Sequence, residues 1–515
     1  MSAPEFPRLS RHQQADICLL LEGTYPYIRG GVSTWVHQLI QGLPQYRFAL
    51  VFIGATRENY PDMHYQFPAN VCHFEAHYLA EPLNLAKPSP QAGNPAWFEA
   101  LDHLHTQLKH GGQQHGLAAY APFIEQLQAS LKDGAEAFFY SEQAWERITR
   151  EYQANAPDLP FNEYFWTVRS MHTPLFKLLE IAQTAPSATV YHTISTGYAG
   201  VLGFFLSVLR QRKLLLTEHG IYTKERYIDL YQADWIRDPT PQFSMGLHAP
   251  TSYIRRMWGR FFEGLGRLTY AASSEIVTLF AANRQTQIQY GANPNRCRII
   301  PNGVDIRQLA TTRQQRTATI PQVIGLIGRV VPIKDIKTYL RATALAQRQL
   351  PNLQAWIIGG EDEDPAYAAE CHQLTASLGL QTTVKFCGFQ SVAAMLPHLG
   401  IVVLSSISEG QPLSVLEAYA AGVPVVVTDV GACREMVEGV TDADRALGKS
   451  GEVVPIASPD AMATALVHLL SNPNAWRAAQ AAAIARVEAF YTQSAFLNHY
   501  DNLYQRTLEH GGHRL

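Results

Sequence analysis

The chain has 515 residues, of which 47% are apolar and 17% charged, with a formal net charge of −3 at pH 7. That length exceeds one ordinary core and predicts two large domains; the composition excludes a disordered chain, and the charge gives no footing for bulk nucleic-acid binding. Six cysteines, at 18, 72, 297, 371, 387 and 433, include no C-x-x-C pair, so neither a disulfide framework nor a zinc site is signalled and a reducing cytoplasm fits. The opening MSAPEFPRLSRHQQAD has no apolar signal core, and the apolar-rich stretch near residues 198–209 is too short to span a bilayer. The expected location is cytoplasmic, with peripheral attachment at the inner membrane left open.

Taken in chain order, residues 16–22 (DICLLLE) read as a strand ending at Gly23, and 33–41 as a helix carried by Trp35, Val36, Leu39 and Ile40. A second strand at 47–53 makes the opening a βαβ unit, the signature of a parallel α/β domain. From 79 to 169 the alternation is lost, and segments such as 119–132 and 135–152 predict a mostly helical insertion. Strands are expected again at 189–192 and 213–218, a long helix at 253–270, and strands at 274–279 and 297–300. The second half is more regular, with apolar strands at 323–327, 355–358, 384–387, 401–404 and 425–427, then helices at 475–490 and 494–508. The expected organisation is a Rossmann-like first domain over 1–300, a second over 301–490, and a terminal helix over 491–515.

The most informative segment is 405–424, SSISEGQPLSVLEAYAAGVP. Gly410 can take a positive φ, Pro412 suits the first turn of a helix, and Leu413, Leu416 and Tyr419 supply helical apolar spacing. Glu409 then lies at the helix entrance and Glu417 more than one turn inside. A helix entrance offers unpaired N–H groups and a partial positive charge to a diphosphate, and two carboxylates can accept hydrogen bonds from sugar hydroxyls. An ordinary loop with a dipole-compensating acid is the competing reading. Residues 328–335, GRVVPIKD, follow the first strand of the second domain, and Arg329 and Lys334 could neutralise a departing diphosphate. Ligands of doubly wound sheets bind beyond the carboxyl ends of the strands, so both segments sit where chemistry is expected.

With these motifs the chain resembles the retaining glycosyltransferases of family 4, through Gly30-Gly31-Val32-Ser33, Glu218-His219-Gly220, Pro301-Asn302-Gly303-Val304-Asp305, Gly328-Arg329 with Lys334, and Glu409 through Glu417. The stretches LLLEGTYPYIRGGVSTWVHQLI and TEHGIYTKER look closer still to the cytoplasmic glycosyltransferases of Pel exopolysaccharide synthesis. The resemblance implies the GT-B architecture, two facing Rossmann-like doubly wound domains, here with the helical insertion in the first. It implies Glu409 on donor-sugar hydroxyls, Glu417 on the ribose, Arg329 and Lys334 on the diphosphate, and Gly410, Gln411, Pro412, Leu413 and Ser414 completing the pocket. Gly30 and Gly31 would let the first domain's loop approach phosphates and acceptor, and His219 would face the donor sugar as a neutral hydrogen-bonding group. The catalytic set so implied is His219, Glu409, Arg329 and Lys334.

The implied substrates are a UDP-hexose donor and a polysaccharide acceptor, with no cofactor and no metal; inner-membrane Pel synthase components are the partners the resemblance suggests. A hinge near 301–304 and a last helix crossing back to the first domain are further implications. Two rivals stand beside this reading: a catalytically silent scaffold of a membrane synthase complex, and an epimerase or glycogen-synthase-like enzyme of the same fold. The Asp-x-Asp at Asp442 and Asp444 reads as a solvated loop rather than a metal site, and the acidic run 361–364 as solvent-facing. His192 is a weaker strand-end candidate. In 253–267, YIRRMWGRFFEGLGR, the aromatics are expected inside their own domain and Arg255, Arg256, Arg260 and Arg267 in water, over a glycan- or lipid-binding face.

Overall fold

The structure, a computed structural model, describes residues 6–10, 12–83, 92–110, 116–129, 134–233, 236, 253–316 and 319–509. Two units are distinguished, the first comprising 1–278, 284–298 and 503–515, the second 279–283 and 299–502.

The first unit is built on a seven-stranded sheet in the order β3-β2-β1-β4-β5-β6-β7. Its strands are β1 (Ala15–Glu22), β2 (Phe48–Gly54), β3 (Val71–Tyr78), β4 (Ala188–Thr193), β5 (Lys213–Glu218), β6 (Ser273–Thr278) and β7 (Cys297–Ile299). Pairs from β3 through β6 run parallel, with Leu19 opposite both Leu50 and His192 in the centre. β1 and β2 are buried along nearly their whole length, as strands covered on both faces must be, and so read as continuous apolar runs. β3 escaped the sequence reading because it is the edge strand and alternates, VCHFEAHY, with His73 and His77 bracketing Glu75 on one face.

The expected insertion is helical in its described parts, with helices Pro95–His110, Ala121–Ala129, Gly134–Tyr140 and Glu142–Asn155. Helix Phe161–Thr184 runs through position 169 and leads into β4, so the helical layer extends further than its apolar spacing suggested. Helix Tyr253–Ala272 joins the same layer, and one apolar core unites Trp97, Leu101, Phe123, Phe176 and Leu265 with the sheet residues Leu20 and Val51.

The second unit has a six-stranded sheet in the order β10-β9-β8-β11-β12-β13. These are β8 (Val323–Ile327), β9 (Gln354–Ile358), β10 (Val384–Phe386), β11 (Ile401–Leu404), β12 (Val425–Thr428) and β13 (Gly451–Val454), all parallel. Within its own sheet each unit therefore places its strands in the order 3-2-1-4-5-6, the doubly wound arrangement, the first adding a seventh. Order reverses between β1 and β4 in one and between β8 and β11 in the other, and connections on opposite faces diverge there to leave a crevice at the carboxyl ends. The final helix, Gln493–Glu509, contributes its residues to 502 to the second unit and those from Leu503 to the first.

Two sequence expectations are corrected. Asp444 is not solvated: it is 3% exposed and holds the fully buried Arg486 through a bond of 2.5 Å from Nε, while Asp442 remains exposed. A guanidinium taken out of water must be paired, and Arg486 also donates to the carbonyls of Val437, Asp444 and Gly448. Of the four arginines in 253–267, Arg256 and Arg260 are exposed, but Arg255 and Arg267 turn inward, donating to the carbonyls of Ala233 and Leu108.

Candidate functional site

In the second unit the loops after β8 and β11 emerge side by side at the switch point. The loop after β8 passes through a short turn at Pro332–Lys334 before helix Ile336–Gln347. The backbone N–H of Ile407 donates to the carbonyl of Ile333 at 2.9 Å, and Ser405 Oγ to that of Lys334 at 2.7 Å, so the two loops are stitched together. Their side chains then meet: Lys334 Nζ lies 2.6 Å from Glu409 Oε1, which also accepts from Ser406 Oγ at 2.6 Å. Both charged groups are largely buried, Lys334 20% and Glu409 13% exposed, which strengthens their attraction over that of a surface pair.

Helix Leu413–Ala420 starts at this pair. Pro412 caps it without a side-chain hydrogen bond, and its first turn carries no acid, so its entrance N–H groups keep their positive end for a ligand. Gln411 is buried and braces the entrance: its Oε1 accepts from Asn302 N at 2.6 Å, and Asn302 Nδ2 donates to its carbonyl. Gly410 is not among the positive-φ glycines; Gly431 is, at φ +53. A Cβ on Gly431 would lie 2.2 Å from the Glu409 carbonyl oxygen, so this glycine is the floor on which the Glu409-Gly410 turn rests. Glu417 sits one turn inside, half-buried, and burial pushes its carboxyl up to about 7.

Arg329 is placed differently from Lys334. It is half-exposed and pairs with Glu363 of the solvent-facing acidic run, while Lys334 turns to Glu409. Sequence reasoning missed Ser405, Ser406, Thr428 and Gly431. Thr428 Oγ1 donates to the carbonyl of Ser406 at 2.6 Å, completing the support beneath Glu409. The serines were readable in the SSISEG run; nothing local marked Thr428 or Gly431.

In the first unit, helix Gly31–Gly42 begins at an exposed Gly30-Gly31 turn with no side-chain cap and no first-turn acid. Nothing lies within 4 Å of where a Cβ on either glycine would stand, so the turn borders open space. His219, at the end of β5, packs edge-on against Trp35 with ring centroids 4.7 Å apart; burial pushes it down to about 4, so it is neutral at pH 7. His192 is a structural residue: its Nδ1 lies 2.7 Å from Tyr504 Oη and its Nε2 2.9 Å from Thr217 Oγ1. The sequence reading also passed over Glu22, the carboxylate that ends β1 at the switch point. It accepts from Ala199 N at 3.0 Å and Tyr222 Oη at 3.2 Å, and burial raises its pKa. An acid closing an apolar strand just before Gly23 was the signal available.

Residues 15–295 match the family model described as "Domain of unknown function (DUF3492)", more than half of the chain. The chain belongs to the DUF3492 family. Residues 321–472 match the model described as "Glycosyl transferases group 1", the domain that carries Lys334, Glu409 and Glu417. The D-inositol 3-phosphate glycosyltransferase of Kineococcus radiotolerans is 29% identical over 243 residues, 44% of this DUF3492 chain and 56% of that protein. The chain thus spans about half the length of the curated relatives it matches. Among solved structures, sucrose-phosphate synthase from Thermosynechococcus elongatus has a TM-score of 0.56 at 17% identity, covering 96% of this chain and 99% of that one. Anabaena Alr3699/HepE in complex with UDP has a TM-score of 0.55 at 14% identity, covering 95% and 100%. With these neighbours and its two doubly wound sheets, the DUF3492 chain has the GT-B fold.

Proposed function

We propose that this chain is a retaining, metal-independent glycosyltransferase that moves a hexose from a UDP-sugar to a growing exopolysaccharide. The observation that carries the reading is the Lys334–Glu409 pair at the second sheet's switch point, set against an uncapped helix entrance. A cation and a helix entrance suit a diphosphate, and a carboxylate beside them suits sugar hydroxyls. When the phosphates draw on Lys334, Glu409 is freed to accept from the sugar; Arg329, whose pairing with Glu363 is at the surface, can turn to the same charge. Glu417 is assigned to the ribose, and His219, neutral at pH 7, to the sugar-contacting surface of the first unit. Positive charge for the leaving group thus comes from side chains and backbone, which is why no metal is invoked.

Uridine is favoured because Anabaena Alr3699/HepE, which shares the fold, holds UDP. Extension of a Pel-type polysaccharide, at the cytoplasmic face with membrane synthase partners, rests on the likeness of the 19–40 and 217–226 stretches to PelF-type enzymes. No described helix is long and apolar enough to cross a membrane.

Calorimetric titration with UDP, UDP-glucose, UDP-GlcNAc, UDP-GalNAc and GDP-mannose in EDTA tests this assignment. UDP species should bind, and Lys334→Ala should weaken them by about 1.5–3 kcal/mol, as loss of a charged hydrogen bond does. His219→Ala should lower kcat while leaving UDP affinity unchanged, and the anomeric configuration of the product reads retention directly. If no nucleotide binds, with or without added metal, the donor site is wrong and a silent scaffold becomes the better description.

A further inference from the structure

The helical layer of the first unit encloses a cavity of about 640 Å³ that the donor chemistry does not use. That volume falls in the range of roughly 300–1,000 Å³ typical of small-molecule sites. It is walled by Trp97, Leu101, Val168, Leu175 and Phe176 among others, from helices Pro95–His110 and Phe161–Thr184. Apart from the Trp97 indole, the side chains of this wall offer no hydrogen-bond partner to a glycan hydroxyl, so this part of the cavity suits hydrocarbon, while polar groups such as Arg147, Asn155 and Arg169 line the remainder. The charged groups along the lining are unbalanced: Arg147, Arg169, Arg256 and Arg260 against Asp102 and Glu151. Arg147 is 14% exposed and paired to Asp102, and Arg169 lies over the Phe139 ring at 4.5 Å.

The rim points to where such a ligand would come from. Trp145, itself a lining residue, is 55% exposed, and Trp166 is 61% exposed on the next helix, with Arg169 5.9 Å from its ring. Large aromatics left in water beside arginine suit the headgroup level of a bilayer, where an indole keeps one end apolar and one wet.

We propose that this cavity binds a single-chain anionic amphiphile, an alkyl chain with a phosphate or carboxylate head, the chain among the apolar residues and the head on the arginines. The cavity lies wholly within the first unit, so the proposal stands or falls independently of the UDP assignment.

Trp97, buried to 3% and on the wall, is a built-in reporter. Full-length protein prepared without detergent is titrated with brominated stearate, which should quench Trp97 saturably, with dodecyl phosphate and palmitate displacing it and uncharged dodecanol at least about tenfold weaker. Trp97→Phe should remove that part of the quenching. Ala144→Phe, which fills the cavity, should abolish binding with the circular-dichroism spectrum unchanged. Arg147→Gln should narrow the gap between dodecyl phosphate and dodecanol. Co-sedimentation with phosphatidylglycerol but not phosphatidylcholine vesicles would identify a membrane lipid as the source; binding of the soluble amphiphiles alone would identify a free one. Absence of saturable quenching in the wild type overturns the proposal, as does undiminished binding by a folded Ala144→Phe, and the wild-type titration decides even if that variant does not fold.

Discussion

Glu417 is the side chain whose ionisation should report the ligand. Burial alone lifts it to about 7, so near neutrality the empty site is a mixture of acid and carboxylate. A ribose whose hydroxyls donate to it favours the carboxylate, so UDP binding should release a fraction of a proton at pH 7 and strengthen as pH rises through 7. Calorimetry in buffers of different ionisation enthalpy measures that release, and Glu417→Gln should abolish it. Unliganded stability has the opposite dependence: the unfolded carboxyl ionises near 4.5 and the folded one near 7, so stability falls as pH rises across that window and is level above it. Glu417→Gln should therefore gain up to about 3 kcal/mol relative to wild type between pH 4.5 and pH 8 in urea unfolding. Gly431 is the other telling position. A methyl there meets the carbonyl oxygens of Glu409 and Gly410 at 2.2 and 2.3 Å, on a backbone at φ +53. Gly431→Ala should cost about 1–3 kcal/mol in stability and move Glu409 enough to weaken UDP binding, while Gly448→Ala, with nothing within 4 Å, should leave binding unchanged.

Between helices Pro95–His110 and Phe161–Thr184 lies a polar contact made by a pair of histidines. His172 donates from Nδ1 to the carbonyl of Val168 at 2.7 Å, so its Nε2 is left to accept from His105 Nε2, 3.3 Å away. Burial holds His172 down to about 4 and His105 to about 3, and the pair is neutral in the folded protein. Unfolded histidines protonate near 6.5, so this stability is complete above that pH and drains away as pH falls toward 4. His105→Gln, which keeps a donor, should be less stable than wild type at pH 7.5, and the gap should close by up to about 2 kcal/mol at pH 5. A gap that does not change with pH would mean the pair is not buried neutral. Which elements the sequence betrays follows from how each is packed. β8, β11 and β12 read as apolar runs because both faces are covered, whereas β3, with one polar face, gives no such run. The loops that bear Lys334 and Glu409 were legible from strand ends and turn residues, but not that the two side chains bond to each other across 75 positions. Arg486 and Asp444, 42 apart, were illegible for the same reason: tertiary pairing leaves no local pattern.

The chain's path gives the first unit a component that follows the second unit's strands in the sequence. After the second unit's strands, helix Gln493–Glu509 returns Leu503 and Tyr504 to the first unit's core, where both are at most 1% exposed. Tyr504 stacks edge-on against Tyr46 and Phe48 and shares its hydroxyl with His192, whose other nitrogen reaches Thr217 of β5. Removing it would open a cavity beside β2 and β4 and break the buried hydrogen bond to His192, two costs that add. Tyr504→Ala should therefore destabilise the first unit by about 3–5 kcal/mol, and Tyr504→Phe, which keeps the ring, by about 1–2 kcal/mol. A chain ended after Asn502 loses Leu503 as well and should lack a stable first unit, although every strand of that sheet is present. Hydrogen exchange read separately on β4 and β11 distinguishes the cases: protection should fall in β4 and persist in β11, because the Lys334–Glu409 site draws its supports from residues 302 to 432. Equal loss in both strands would show that the second unit also depends on those last residues.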